Sequence, residues 1–123
     1  MRTGPMILKI LPAADWARFQ REGVYRGSPA DLADGYVHFS TAAQIAATLA
    51  KHYRGREGLV LLAVAIDALG DALGDALRWE PARNGDLFPH LYGPLPLHAV
   101  QASGPITLEA GLHVCPPEVL QWA

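Results

Sequence analysis

"GYVHFSTAAQ", residues 35–44, decides how the chain is read, because it has the form of a strand that runs straight into a helix. Alternation along a strand places Tyr36, His38 and Ser40 on one face and Val37 and Phe39 on the other. The polar face therefore carries the imidazole and ends where a helix begins. Free backbone N–H groups and the helix dipole at such a terminus favour an anion. Ser40 and Thr41 add hydroxyls, and Thr41-x-x-Gln44 has the spacing of a capping box, which predicts a helix from Thr41 onward. The plain alternative is that these hydroxyls do no more than cap the helix, a contribution of about 1 kcal/mol.

A second stretch, "GDLFPHLYGPL" at residues 85–95, repeats the setting. Here Phe88, His90 and Tyr92 share a face, and Pro89 and Leu91 occupy the other. Either histidine alone reads as a packed imidazole with one hydrogen bond. Together they suggest a pocket in which rings that titrate near neutral pH act as acid, base or hydrogen-bond donor.

Working outward, "MILKIL" reads as a first strand and "AADWARFQREG" as a helix with Asp15 in its first turn and Gly23 as its stop. "YRGSPADLADG" reads as loop on its density of Gly, Pro, Ser and Asp. The eight-residue run "LVLLAVAI" reads as the central, buried strand. "DALGDALGDAL" places Leu69, Leu73 and Leu77 one turn apart, but its glycines oppose a helix, so a loop with a short helical turn is expected. "LRWEP" suits a short strand, and Glu80 within it is either a candidate acid–base group or a solvated strand-end carboxylate. "PLHAV" and "ITLEA" add short strands, and "CPPEVLQWA" a helical turn starting at the prolines. Strands and helices alternate early and strands dominate late, which favours α+β.

Composition narrows the function. With 123 residues, half of them apolar, the chain suits a single domain over 1–123, and a formal net charge of −2 disfavours a nucleic-acid partner. No apolar stretch is long enough for a signal peptide or membrane span, so a cytoplasmic protein with no membrane partner is expected. The single cysteine, Cys115, suits a reducing compartment and has no activating neighbour in sequence. His38, His52, His90, His98 and His113 show no close ligand pair, so no metal is assigned. There is no G-x-S-x-G, P-loop or G-x-G-x-x-G motif.

"ILKILPAADW", "GVYRGSPADLADGYVHFSTAAQ", "LVLLAV", "LRWE" and "FPHLYGPLPLHAV" closely resemble the bacterial family called domain of unknown function 952. The resemblance covers about residues 7–100 and leaves 101–123 as a C-terminal tail. It implies an ADP-ribosyltransferase-like fold: two packed mixed β-sheets around a cleft that binds NAD in active relatives. "VHFS", Val37 to Ser40, is similar to the strand–helix junction of RNA 2′-phosphotransferases. Lys9 stands where transferases of this fold carry a first-strand His or Arg for the nicotinamide ribose. "FPHLYG" lies near the usual place of a catalytic glutamate but offers His90 and Tyr92 instead.

Two functions follow as expectations. One is a binding module for a nucleotide-like or small anionic ligand beside His38 and His90, lined by Lys9, Tyr36, Ser40, Thr41, Tyr92 and Glu80. The other is an NAD-dependent transferase of the ADP-ribosyl or 2′-phosphotransferase type with His38 and His90 as catalytic candidates. The residues alone assign no cofactor; NAD enters only through the resemblance.

Overall fold

The computed structural model describes residues 4–123. Its centre is strand β4 (Leu59–Ala65), all seven residues of which are buried. Burial on both faces is why this segment reads as one apolar run without alternation. β4 pairs antiparallel with β1 (Met6–Pro12) on one edge and with β8 (Val100–Glu109) on the other, and β9 (Leu112–Val114) extends the sheet beyond β8. Residues 101–109 are thus part of the central sheet and not a tail appended to it.

Two apolar layers cover the faces of this sheet. On one, Ile7, Leu11, Val60, Leu62 and Val64 meet Phe19, Val37, Phe39, Leu91 and Leu95. Phe19 comes from helix α1 (Ala13–Glu22), which Gly23 ends in the left-handed conformation at φ 77°. On the other, Leu8, Ile10, Leu59, Leu61 and Ala63 meet Ile45 and Leu49 of helix α3 (Ile45–His52) and Val119 of the terminal turn α5 (Pro117–Leu120). Odd and even positions of β4 serve different layers, as strand alternation requires.

A second sheet holds β3 (Val37–His38), β6 (Leu87–Leu91) and β5 (Leu77–Pro81), in the order β3-β6-β5. Val37 and Leu91 turn its inner face onto the central sheet. A two-residue pair, β2 (Val24–Tyr25) with β7 (Leu95–Pro96), completes the strands. Between α1 and β3 lies α2 (Pro29–Asp34), and after β4 a 3-10 turn (Ile66–Leu69) leads into α4 (Gly70–Asp75).

The architecture is α+β, with three differences from expectation. Every ladder among the described residues is antiparallel, so the sheets are not mixed. β5 and β6, and β8 and β9, are joined by connections too short for the crossover that parallel strands need. The space between the two larger sheets is filled by side chains of the first layer, so the histidine-bearing face is the outer one. "SPADLAD" forms α2 where a loop was expected, because Ser28 caps it through a complete capping box with Asp31 and Pro29 opens it.

Leu62 has no exposed surface, whereas Leu112 is 73% exposed at the β9 edge. Leu62→Ala should cost about 2–5 kcal/mol in denaturant unfolding. Leu112→Ala should stay within about 0.5 kcal/mol of the native protein. Similar losses for the two would contradict this placement of the core.

Candidate functional site

The site is built on a row across the second sheet. His38 of β3 stands directly opposite His90 of β6, and Arg78 of β5 stands opposite His90 on its other side. Directly opposed residues project on the same face, so the two imidazoles meet with centroids 5.4 Å apart, edge to face. Tyr36 lies over both: its ring stacks on His90 at 4.1 Å and is 4.7 Å from His38. Tyr92 adds its ring 5.1 Å from Tyr36, and the Arg78 guanidinium lies 5.0 Å over Tyr92.

Each imidazole is held at Nδ1 by a carboxylate. Asp31 Oδ1 lies 2.5 Å from His38 Nδ1, and Glu80 Oε1 lies 2.8 Å from His90 Nδ1. His38 Nε2 also lies 3.0 Å from Asp34 Oδ2, so both nitrogens of that ring face carboxylate oxygens. α2 places Asp31 and Asp34 about one turn apart, on either side of the ring. His90 Nε2 makes no contact of this kind among the described residues. Both nitrogens of the His38 ring are thus engaged, whereas the His90 ring leaves Nε2 open.

Asp31 is 2% exposed and saturated with donors. Its Oδ1 also accepts the His38 amide, and its Oδ2 accepts the Ser28 amide at 2.9 Å and the Lys9 ammonium at 3.1 Å. Burial opposes its charge, but the His38 hydrogen bond and the Lys9 charge outweigh that and hold the carboxyl far below the usual range. The same burial pulls Lys9 below its ordinary value while Asp31 counters it. Lys9 shares a strand face with Ile7 and Leu11, and it completes its bonding with the His38 carbonyl at 2.8 Å. Gly27, at φ 128°, lets the chain pass here: a Cβ on it would sit 2.7 Å from that of Asp31.

Glu80 accepts from the Tyr92 hydroxyl at 2.7 Å on the same oxygen that His90 uses. Those two bonds hold its carboxyl below the ordinary value, and the same bond raises the Tyr92 phenol. Burial, helped by the Asp34 and Glu80 charges, raises Tyr36. Both phenols therefore keep their protons, and Tyr92 donates its own to Glu80 in a hydrogen bond.

His38, His90, Tyr36, Tyr92 and Glu80 come together, and Lys9 reaches them from below. Ser40 and Thr41 do not join them. The Ser40 backbone bridges to Leu8, with N···O distances of 2.8 and 2.9 Å, and its buried hydroxyl meets Thr48 at 3.0 Å. That bridge keeps residue 40 extended, and a turn over residues 41–44 delays α3 to Ile45. Gln44 accepts the Thr41 amide and donates to the Leu87 carbonyl, so the helix start offers no hydroxyl cap and its Thr41 N–H is taken. Asp31 and Asp34 are not among the site residues expected from sequence, although Ser28-Pro29-x-Asp31 carries the capping-box signal. His98 and His113 bond to the Ala68 and Arg56 carbonyls elsewhere. No cluster of three or more His, Cys, Asp or Glu side chains suited to a metal occurs among the described residues.

The family described as "Protein of unknown function (DUF952)" matches residues 10–103. The chain belongs to that family. It is similar in structure to protein CC0527 from Caulobacter crescentus. With the crystal structure of CC0527 it shares 41% identity, 89% of this chain and 94% of that one, at a TM-score of 0.81. The solution NMR structure of CC0527 matches at 42% identity over 87% and 90% of the two chains, with a TM-score of 0.74. No curated protein matches the sequence.

Removing the Asp31 charge tests the geometry. Asp31→Asn leaves Lys9 buried without a counter-charge and should cost about 3–5 kcal/mol. A carboxyl lowered on folding contributes stability that is present in full above its ordinary value of 3.8 and is lost as pH falls below it. Unfolding measured from pH 6 down to about 2 should therefore show a steeper acid loss in the native protein than in Asp31→Asn. Parallel acid profiles would contradict an ionised, bonded Asp31.

Proposed function

We propose that this DUF952 chain binds a small nucleotide-like ligand on the face formed by Tyr36, His38, His90 and Tyr92. The observation that carries the reading is the directly opposed histidine pair, each ring fixed through Nδ1 by a carboxylate and both lying under Tyr36. Fixed imidazoles and phenols offer donors and acceptors of defined direction, and the tyrosine rings offer stacking area for a heterocycle. The partly exposed Asp34 and Glu80 suit ribose hydroxyls as acceptors. The same carboxylates repel a bare small anion, and Lys9 is spent on Asp31, so the nucleoside end fits this face better than a phosphate. Lys9 then acts as a positioning residue, and Ser40 and Thr41 leave the list of contacts.

The alternative is an NAD-dependent transferase of the ADP-ribosyl or 2′-phosphotransferase type on an ADP-ribosyltransferase-like fold. One observation favours it: Glu80, from the strand beside "FPHLYG", brings a carboxylate to His90 and Tyr92. His90 would serve as base through Nε2 and Glu80 as its orienting partner. Release of nicotinamide from NAD, lost in His90→Ala and Glu80→Gln, would support this over simple binding. Either function suits a cytoplasmic protein, and no helix among the described residues is long and apolar enough to cross a membrane.

Calorimetric titration with adenosine, ADP-ribose and NAD, with inorganic phosphate as control, tests the site. His38→Ala and His90→Ala should each weaken nucleoside binding by about 1–3 kcal/mol, roughly 5- to 150-fold. His52→Ala, at the exposed end of α3, should leave it unchanged. Native affinity in folded His38→Ala and His90→Ala would reduce the pair to packing histidines.

A further inference from the structure

β5 is the outer strand of the second sheet: β6 pairs with one of its edges, and no strand among the described residues pairs with the other. Which of its residues face that free edge follows from the neighbouring hydrogen bonds. The Phe39 amide donates to the Pro89 carbonyl at 3.0 Å, so the backbone of residue 89 is turned toward β3. Trp79, directly opposite Pro89, therefore turns its own amide and carbonyl away from β6. By the same alternation Leu77 and Pro81 face outward, whereas the backbones of Arg78 and Glu80 face β6. Two bonds that flank the strand fit this phase: Tyr92 donates to the Ala76 carbonyl at 2.9 Å, and Ala82 to the Asp86 carbonyl at 2.8 Å. No backbone hydrogen bond from outside the β5–β6 ladder reaches Leu77, Trp79 or Pro81 among the described residues.

Free edges are commonly blunted by lysines, bulges or a covering element. This one carries an indole at its midpoint. Trp79 is 45% exposed, and Leu87, opposite Pro81 on the same face, is 52% exposed. The other face of the strand bears opposite charges on either side of that midpoint. Arg78 is exposed and makes no ion pair among the described residues. Glu80 gives one oxygen, Oε1, to both His90 and Tyr92, and its Oε2 has no partner among the described residues. "LRWEP", residues 77–81, is thus complementary to itself when two copies run antiparallel about Trp79.

We propose that β5 is an interface between two copies of this chain, paired antiparallel about a two-fold axis at Trp79, so that their second sheets become one continuous sheet. The two Trp79 backbones exchange hydrogen bonds, and each Leu77 amide donates to the Pro81 carbonyl of the other copy. Pro81 withholds only an N–H at the end of an edge strand, a place where proline is tolerated. On one face the indoles meet across the axis. On the other, Arg78 of each copy stands opposite Glu80 of its partner, in the closer, non-hydrogen-bonded spacing that suits side-chain contact. Each contact occurs twice, as an isologous interface requires. The second copy thereby brings a guanidinium to Glu80, the carboxylate that holds His90.

Sedimentation of the intact chain at concentrations up to about 1 mM tests the interface, and it should reveal a species of twice the 13.2 kDa mass. Trp79→Lys, at an exposed position on the face away from the histidines, should keep the native circular dichroism and weaken the dimer at least about tenfold. Arg78→Glu and Glu80→Arg each set like charges opposite one another and should do the same. Mixed in equal amounts, these two variants restore opposite charges at both pairs, and the dimer should return. A chain that stays monomeric throughout, or a dimer that survives Trp79→Lys or Arg78→Glu, would overturn the interface. Folded single variants that fail to associate when mixed would overturn the register about Trp79. Should Glu80→Arg unfold, the other two variants decide the matter. The readout is mass alone, so it stands or falls independently of adenosine binding at the histidine face.

Discussion

The Asp31 carboxylate accepts from the Ser28 amide, the His38 amide, the His38 ring and the Lys9 ammonium. Through these donors a single buried group joins α2, β1 and β3. An ammonium between Ile7 and Leu11 costs several kcal/mol unless it is paired and hydrogen-bonded, and Asp31 is the partner that makes Lys9 tolerable there. Such pairs seldom add net stability over an apolar core of the same shape. Their effect here is positional: the pair ties α2 to β1. His38 inherits that placement through two of the four bonds, so its orientation is set by the core and not by the outer surface it faces.

Much of the fold is legible in the sequence, and the site is legible in part. β4 declares itself because seven consecutive apolar residues suit a strand buried on both faces. α1 is bounded by Pro12 and Gly23, which act locally. α3 starts at Ile45 and not at Thr41 because Thr41-x-x-Gln44 is a local signal overruled by a non-local one, the backbone bridge between Ser40 and Leu8. α2 reads as loop in the sequence because the residues that cap it are also those that make turns. His38 and His90 could be placed on matching faces by alternation, but their direct opposition depends on strand register, which the sequence does not state. Glu80 shows the same limit. Its approach to His90 follows from the tight β5–β6 connection, where Ala82 donates to the Asp86 carbonyl at 2.8 Å.

On the histidine face each imidazole has its carboxylate, and what remains open is aromatic area and the outer ring nitrogen of His90. Asp31 links that face to the loop before α2: it bonds His38 directly, and its Cβ lies where a side chain on Gly27 would have to sit.

The central strand has its two hydrogen-bonding edges filled at different times. β1 precedes β4 in the chain, but β8, which covers the other edge, follows it by about 35 residues. At roughly 5–20 residues per second, a chain emerging from the ribosome would hold β4 with one edge open for a few seconds. During that interval Leu59 and Leu61 also lack Ile106 and Val119, their later neighbours in the second layer. An open, apolar edge of this kind is a template for pairing with another nascent chain. Yield during synthesis should therefore depend on how fast β8 arrives, or on a chaperone holding the strand until it does.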